Sequence, residues 1–457
     1  MGKANFASLI QELCAFTTGV VASGNEGLFA RLGQELPLTV HRYPSGATCN
    51  GWVVPELWSV ETARIMREGT LVFDGLAHPL AVATYAKSFR GELDREALRP
   101  RLVTNPAQPE AYVYHCMWQY RPWDADWAFS MPHRLYETLA PGRYAVDLAT
   151  RFEPGEMLVG EYEHKGRSPL TFVFNAHTCH PHMANDDMAG VALLVRLFQW
   201  LRGQDTHYSY RLVLGPEHLG TVFYLRDREP EDIERLVGGV FAEMPGTDFP
   251  LKLQASFRGG QLIDRAVGHA LRHCGEASVA VPWRKGAGND ETVWEAPGYE
   301  VPFVELSRCG DQFAPYPEYH TSLDTPESLR LDKVESFYRV LRETVRILEH
   351  DATLHRAFNG LICLSNPRYD LYFERPDPAV AKNLAFDSEK WGALLDSLFR
   401  YFDGDMTVLD IAERHDVPFW PLYQYLQKFE RKGLLSMRFA PAARIPPRRV
   451  PEPPAPD

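Results

Sequence analysis

One stretch limits what this chain can become more than any other. The run Leu170-Thr171-Phe172-Val173-Phe174 leads into Asn175-Ala176-His177-Thr178-Cys179-His180-Pro181-His182-Met183-Ala184-Asn185-Asp186-Asp187-Met188-Ala189-Gly190. The first five residues are apolar or β-branched and read as a strand. From Val191 to Arg202 apolar residues recur at helical spacing, the pattern of an amphipathic helix. Strand, polar loop and helix in that order put the loop at the carboxyl edge of an α/β sheet, where such folds hold ligands. The loop carries three histidines and two adjacent carboxylates. Imidazole nitrogen and carboxylate oxygen are the donors that borderline cations such as zinc accept. Each residue also has a plain structural use: Asp186 and Asp187 can cap the helix that follows, and a lone histidine is most often an ordinary polar residue.

At 457 residues the chain exceeds a single ordinary core, so more than one domain is expected. Its net charge of −12 argues against nucleic acid and anionic membrane as partners, since both select basic surfaces. No apolar run reaches the roughly 18–20 residues that cross a bilayer. The opening Met1-Gly2-Lys3-Ala4-Asn5-Phe6 has neither a signal-peptide core nor a myristoylation pattern. The seven cysteines are scattered without a CxxC pair, which fits reduced thiols and a cytoplasmic protein.

Phe6 to Leu36 reads as helical. The texture changes at Tyr43-Pro44-Ser45-Gly46, and residues 44–143 show short β-like runs, many aromatics and frequent turns, for example Gly51 to Pro55 and Tyr112 to Trp118. This reads as an inserted, mostly β module in which His115, Asp124, Asp126 and His133 are structural. From Tyr144 to about Glu349 strands and helices alternate, as in a sheet with helices on its faces. Arg211 to Leu214 ends in Gly215-Pro216-Glu217-His218-Leu219-Gly220, and Gly239 to Ala242 ends in Glu243-Met244-Pro245-Gly246. Val301 to Leu306 leads to Tyr316-Pro317-Glu318-Tyr319-His320-Thr321-Ser322-Leu323-Asp324-Thr325, and Lys333 to Glu349 closes the domain as a helix. Leu361 to Asp377 is an irregular connector. Trp391 to Leu435 reads as three short helices with a turn at Asp403-Gly404-Asp405, the pattern of a helix-turn-helix or winged-helix module. Residues 441–457 are Pro-rich and read as disordered.

Strand ends therefore supply His180, Asp186, Glu217, His218, Glu243 and His320, a set that jointly points to a metal site. Cys179 is a poor nucleophile candidate beside His180, because neighbours in extended chain point to opposite sides. No serine elbow, P-loop or dinucleotide fingerprint is present. The order of motifs resembles the zinc aminopeptidase superfamily, which includes leucyl aminopeptidases and glutaminyl cyclases. It looks closest to an aminopeptidase-like branch with an inserted β domain and a C-terminal winged helix. The resemblance rests on Cys179-His180-Pro181, Ala184 to Gly190, Pro216-Glu217 with Leu219-Gly220, and Tyr316 to Asp324, together with Tyr43 to Gly46 and Trp52 to Pro55 in the insert.

That resemblance implies an α/β fold: a mixed-sheet zinc-peptidase-like domain with helices on both faces (1–43 and 144–352), an inserted mostly β domain (44–143) and a winged-helix module (361–440). Carried over, Asp186 bridges two metals or anchors one, His180 binds the first and His320 the second. Glu243 completes the shell of the first metal, Glu217 is the general base and Asp324 orients His320. His218 stands where the superfamily has a second glutamate, so it is either a ligand or the mark of a one-metal site. His177 competes with His180 for the ligand role. Asp290 and Glu291 are candidates to receive a substrate ammonium, Arg308 a carboxylate, and Tyr319 a further substrate contact. The expectation is a zinc-dependent hydrolase, with one or two ions, acting on an amide or peptide bond of a small amino-bearing molecule or peptide. Alternatives are a non-hydrolytic binding or regulatory protein on the same fold, and acyl transfer or cyclisation. Neither nucleic acid nor membrane is expected as a partner, and a homo-oligomer is allowed.

Overall fold

A computed structural model describes residues 4–312, 314–372, 388–444 and 446–447. Its largest sheet has eight strands: β1 (Thr39–Pro44), β2 (Glu156–His164), β3 (Thr171–His177), β4 (Ser209–Gly215), β5 (Leu236–Ala242), β6 (Leu251–Gln254), β7 (Ser278–Val281) and β8 (Phe303–Ser307). Their order is β1-β2-β4-β3-β5-β8-β6-β7. The middle strands β4, β3, β5 and β8 run parallel, while β1 and β2 on one side and β6 on the other pair antiparallel. All seven residues of β3, β4 and β5 are buried, as parallel strands covered on both faces must be, hence their near-continuous apolar sequence. The parallel register aligns their carboxyl ends. His177 lies opposite Gly215, two residues before Glu217, and Ala242, just before Glu243, lies opposite Leu306. The sheet thus gathers residues distant in sequence at one edge.

The insert forms its own antiparallel sheet from Leu57–Arg67, Thr70–Asp74, Phe89–Asp94 and Arg143–Glu153, over a core that includes Ile65, Phe73, Phe129 and Val146. Strand Arg143–Glu153 therefore belongs to the insert, beyond the expected limit at residue 143, because Tyr144, Val146 and Leu148 point into that core. Tyr112 to Trp118 is not a strand. It makes a single bridge, Val113 to Thr321, and then begins the helical turn Met117–Tyr120. The N-terminal helical stretch is broken into Ala4–Leu13 and Asn25–Gly33, where the Asn25 side chain bonds the backbone of Gly19.

By contacts the chain divides into two compact units, Met1–Gly259 with Val279–Tyr338 and Pro446–Asp457, and Gly260–Ser278 with Arg339–Ile445. The second holds helices Ser388–Ser397, Val408–His415 and Phe419–Arg431, and the antiparallel sheet of Ala352–Arg356 with Asp403–Thr407 and Leu435–Phe439. Asp403-Gly404-Asp405 opens a strand here instead of forming a turn. Helix Leu262–Arg272 also joins this unit, tied by Arg265 to Asp410 and Glu413 at 2.6 Å each. The expected disordered tail lies largely outside the described residues. All seven cysteines are free, and no helix among the described residues is long and apolar enough to cross a membrane.

Candidate metal centre

The strand ends converge on Asp186. Its loop is fixed from below: Asp324 accepts hydrogen bonds from the backbone N–H of Asn185 (2.8 Å) and Asp186 (3.1 Å) and from Tyr316 Oη (2.7 Å). Asn185 Oδ1 accepts from Gly246 N at 2.7 Å. Asp187 Oδ1 accepts from Met244 N and Gly190 N, and a Cβ at position 190 would collide with that carboxylate, so glycine is needed there. Asp324 thus holds the Asp186 loop and not, as expected, the imidazole of His320.

Asp186 is shared by two sets of donor atoms that each lie within 4.8 Å of one another, His177–Asp186–Glu243 and His180–Asp186–His320. His177 Nε2 is 2.9 Å from Asp186 Oδ1 and 3.9 Å from Glu243 Oε2. On the other side, His180 Nδ1 and His320 Nε2 stand 3.0 and 3.3 Å from Asp186 Oδ2. Glu217 Oε2 lies 3.3 Å from His180 Nε2. Both nitrogens of His177, Nε2 of His180 and of His320, and Oε1 of Glu243 are buried with no hydrogen-bond partner. Buried polar atoms are almost always satisfied, so this concentration of unused lone pairs fits a cation.

The charges are strongly coupled. Burial opposes ionisation of Asp186, but the imidazoles of His180, His177 and His320 outweigh it and hold the carboxyl well below its usual range. Burial likewise works against protonated His177 and His180, yet Asp186 and Cys179 push both upward. Burial raises Glu217, but the close imidazoles of His180, His218 and His177 outweigh it and bring it down to about 2. Glu243 goes the other way: burial and the neighbouring Glu305 raise it well above the carboxylate range.

The expected ligands His180, Asp186, Glu243 and His320 are brought together, with Glu217 beside them, and His177 joins them: each histidine serves a different set. His218 is not among them. It takes φ 55° just before helix Leu219–Arg226, its ring stacks over Trp52 at 6.2 Å, and Nε2 reaches Thr292 Oγ1 at 3.4 Å. Asp290 accepts from His218 N and Thr221 Oγ1. Glu291 accepts from Asn289 N (2.6 Å) and Gln254 Nε2 (2.9 Å). Arg308 donates to Phe249 O and Ser336 Oγ. These three are at most 1% exposed, so their buried partners occupy the groups expected to meet substrate. Tyr319 does face the site, stacked on His320 at 3.9 Å.

Four contributors escape sequence reading. Cys179 Sγ groups with His177 and His180 and accepts from Glu217 N at 3.3 Å; past His177 the chain has left the strand, so alternation no longer separates neighbours. Asn289 Nδ2 donates to Glu243 Oε2 at 3.0 Å. From the insert, the Tyr114 ring edges both His180 and His320 at 5.3 Å, and Tyr120 Oη lies 3.6 Å from Cys179 Sγ. Only the aromatic density of that segment signalled them.

The mixed sheet, parallel at its centre, with its donor-rich carboxyl edge defines an α/β protein. The chain belongs to the family described as Domain of unknown function (DUF4910), whose sequence model matches residues 7–351. A relative from Clostridium acetobutylicum, described as "Putative polysaccharide biosynthesis protein with aminopeptidase-like domain", is 27% identical over 350 residues, 76% of this chain and 78% of its own. A crystal structure of a "putative peptidase" from Clostridium acetobutylicum superposes with a TM-score of 0.79 at 24% identity, covering 95% of this chain and 96% of that one. A zinc aminopeptidase from Bacillus subtilis shares the fold at a TM-score of 0.56 and 12% identity, over 75% of this chain and 94% of its own. The superfamily resemblance is thereby shown at the level of fold.

Proposed function

We propose that this chain is a metal-dependent hydrolase of an amide or peptide bond, acting on a small amino-bearing molecule or a short peptide. The observation that carries the reading is the pair of donor sets sharing Asp186, whose buried nitrogens and oxygens have no other partner. His177, Asp186 and Glu243 would hold one divalent ion, and His180, Asp186 and His320 a second. The nitrogen- and oxygen-rich donor set suits zinc. A divalent ion held there supplies Lewis-acid chemistry, polarising the carbonyl and acidifying water.

The protein's own groups do the rest. His177 and His180 must give up the protons that Asp186 draws to them, since only neutral imidazole ligates, and ion uptake therefore releases protons. Glu217 is ionised, with a side chain 21% exposed, so it meets solvent and substrate where the buried carboxylates do not. It accepts the proton of the attacking water and delivers it to the leaving nitrogen. Asn289 and the Asp324–Tyr316 pair keep Glu243 and the Asp186 loop in position.

The test couples metal analysis of the purified chain with a panel of aminoacyl amides and dipeptides. Divalent ion at one to two equivalents and turnover of at least one substrate are expected. A chain that takes up no divalent ion at micromolar concentration overturns the reading.

A further inference from the structure

Between strand β7 and helix Glu291–Trp294 the chain makes the turn Gly286-Ala287-Gly288-Asn289-Asp290. Four consecutive backbone N–H groups of it donate to side chains. Gly286 N bonds Gln254 Oε1 at 2.8 Å, and Ala287 N and Gly288 N bond the two oxygens of Glu305 at 2.9 and 2.7 Å. Asn289 N bonds Glu291 Oε2 at 2.6 Å. The acceptors are tied in turn, since Gln254 Nε2 donates to Glu291 Oε1 and Ser307 Oγ to Glu305 Oε1, each at 2.9 Å. The backbone approaches Glu305 so closely that a Cβ on Gly286 would meet Oε2 at 2.6 Å. Glu291 and Glu305 are wholly buried, and buried carboxyls are costly unless hydrogen-bonded. Here their bonding capacity goes to fixing one short turn.

Two side chains link this turn to the metal centre. Asn289 Nδ2 donates to Glu243 Oε2 at 3.0 Å. Asp290 accepts from His218 N and Thr221 Oγ1. His218 stands at φ 55° and ψ −62°, and Leu219 N bonds back to Glu217 O at 2.7 Å. That is a tight γ-turn of the strained hand, a conformation that persists only where its surroundings impose it. Asp290 offers an anionic acceptor to the N–H at its centre. The peptide group so held joins Glu217 to His218, which fixes the backbone from which the Glu217 carboxylate projects.

We propose that this turn positions both carboxylates together: Asp290 places Glu217 through the strained peptide link, and Glu305 places Glu243 through the turn backbone and Asn289. The inference rests on the metal-dependent function proposed above. Asp290 and Glu305 are at most 1% exposed and act through other residues. Because Asn289 and Asp290 are neighbours in the chain, the ion-holding and proton-accepting carboxylates are set from adjacent points of one rigid turn.

Equilibrium dialysis of the full chain against zinc, with turnover of the amide that the wild type cleaves, tests this. Asn289→Ala and Glu305→Gln should each weaken the ion of the His177–Asp186–Glu243 set about tenfold, the usual scale for a residue that orients a ligand. The other ion should stay. The double variant should bind no more weakly than Asn289→Ala alone, since residues acting in series are not additive. Asp290→Ala should lower kcat about tenfold, part of the roughly 10²–10⁴-fold that positioned proton transfer contributes, with KM and ion content unchanged. Placed on Glu217→Gln, the same change should cost no further turnover. Should Asp290→Ala fail to fold, Thr221→Val, which removes a hydrogen bond from the same carboxylate, should show a smaller loss of kcat of the same kind. Additive losses in either pair overturn the inference, as do variants that match the wild type in ion affinity and kcat. A wild type that takes up no zinc overturns the proposed function and the inference together.

Discussion

Strand β4 carries a buried charged cluster near each end, and the two differ in how they are satisfied. Near its start, Arg211 is 5% exposed and donates to both oxygens of Asp232 at 2.8 and 2.9 Å, with Glu161 and Glu163 nearby. Just past its other end, Glu217 looks onto imidazoles and carboxylates whose atoms stand close but form few hydrogen bonds. Burial opposes ionisation of Glu161, yet His41, Arg211 and Arg228 hold it below the ordinary carboxylate range. Among the described residues no guanidinium does this for Glu243, which is pushed well above that range by burial and by Glu305. Charge that only supports a fold is compensated from within the chain. The other cluster leaves buried nitrogens and oxygens without a hydrogen-bond partner.

The sharpest way to break this contrast is to remove the shared carboxylate. Asp186→Ala should abolish both ion binding and turnover, whereas His177→Ala and His320→Ala should each lose about one equivalent. Metal analysis of the three variants reads this, and unchanged ion content in all of them would equate the two clusters. Glu217→Gln should retain the ions while turnover falls roughly 10²–10⁴-fold, the usual contribution of positioned proton transfer, measured on whichever amide the wild type cleaves.

Arg211→Met should do the reverse. It strands buried carboxylates and should cost about 3 kcal/mol of stability, read as a lower urea midpoint, with ion content per folded chain unchanged. A pH series sharpens the same point. Because Glu161 is depressed when folded, its stabilisation is present above the unfolded value of about 4.3 and is lost as pH falls through its folded value. The stability gap between wild type and Glu161→Gln should therefore close on acidification below about pH 4.3. The smallest effect is expected from His218→Ala, which should keep its full ion content; loss of an equivalent would return His218 to the ligand set.

Much of the centre was legible because strand–loop–helix order and donor chemistry are local properties. His180, Asp186, Glu217, Glu243 and His320 all follow strand-like runs, and parallel strands in one sheet bring such ends to one edge. The expected residues that lie outside the two donor sets do so for a shared cause. His218, Asp290, Glu291 and Arg308 carry suitable chemistry, but which way a side chain points and whether a buried neighbour has already claimed it depend on packing. His218 is turned by a positive φ against Trp52, and Asp290 is taken by the N–H of His218 itself.

By itself, the sequence determined the alternation of strands and helices between Tyr144 and Glu349, the three helices between Trp391 and Leu435, and the donor-rich loop, since hydrophobic period and residue chemistry are written along the chain. Tertiary structure alone decided that His177 and His180 serve different donor sets, that Tyr114 and Tyr120 come from the insert to close the site, and that helix Leu262–Arg272 joins the C-terminal unit. Those outcomes depend on contacts between residues far apart in sequence, where the order of strands in the sheet and the competition for buried partners choose among side chains of equal chemical suitability.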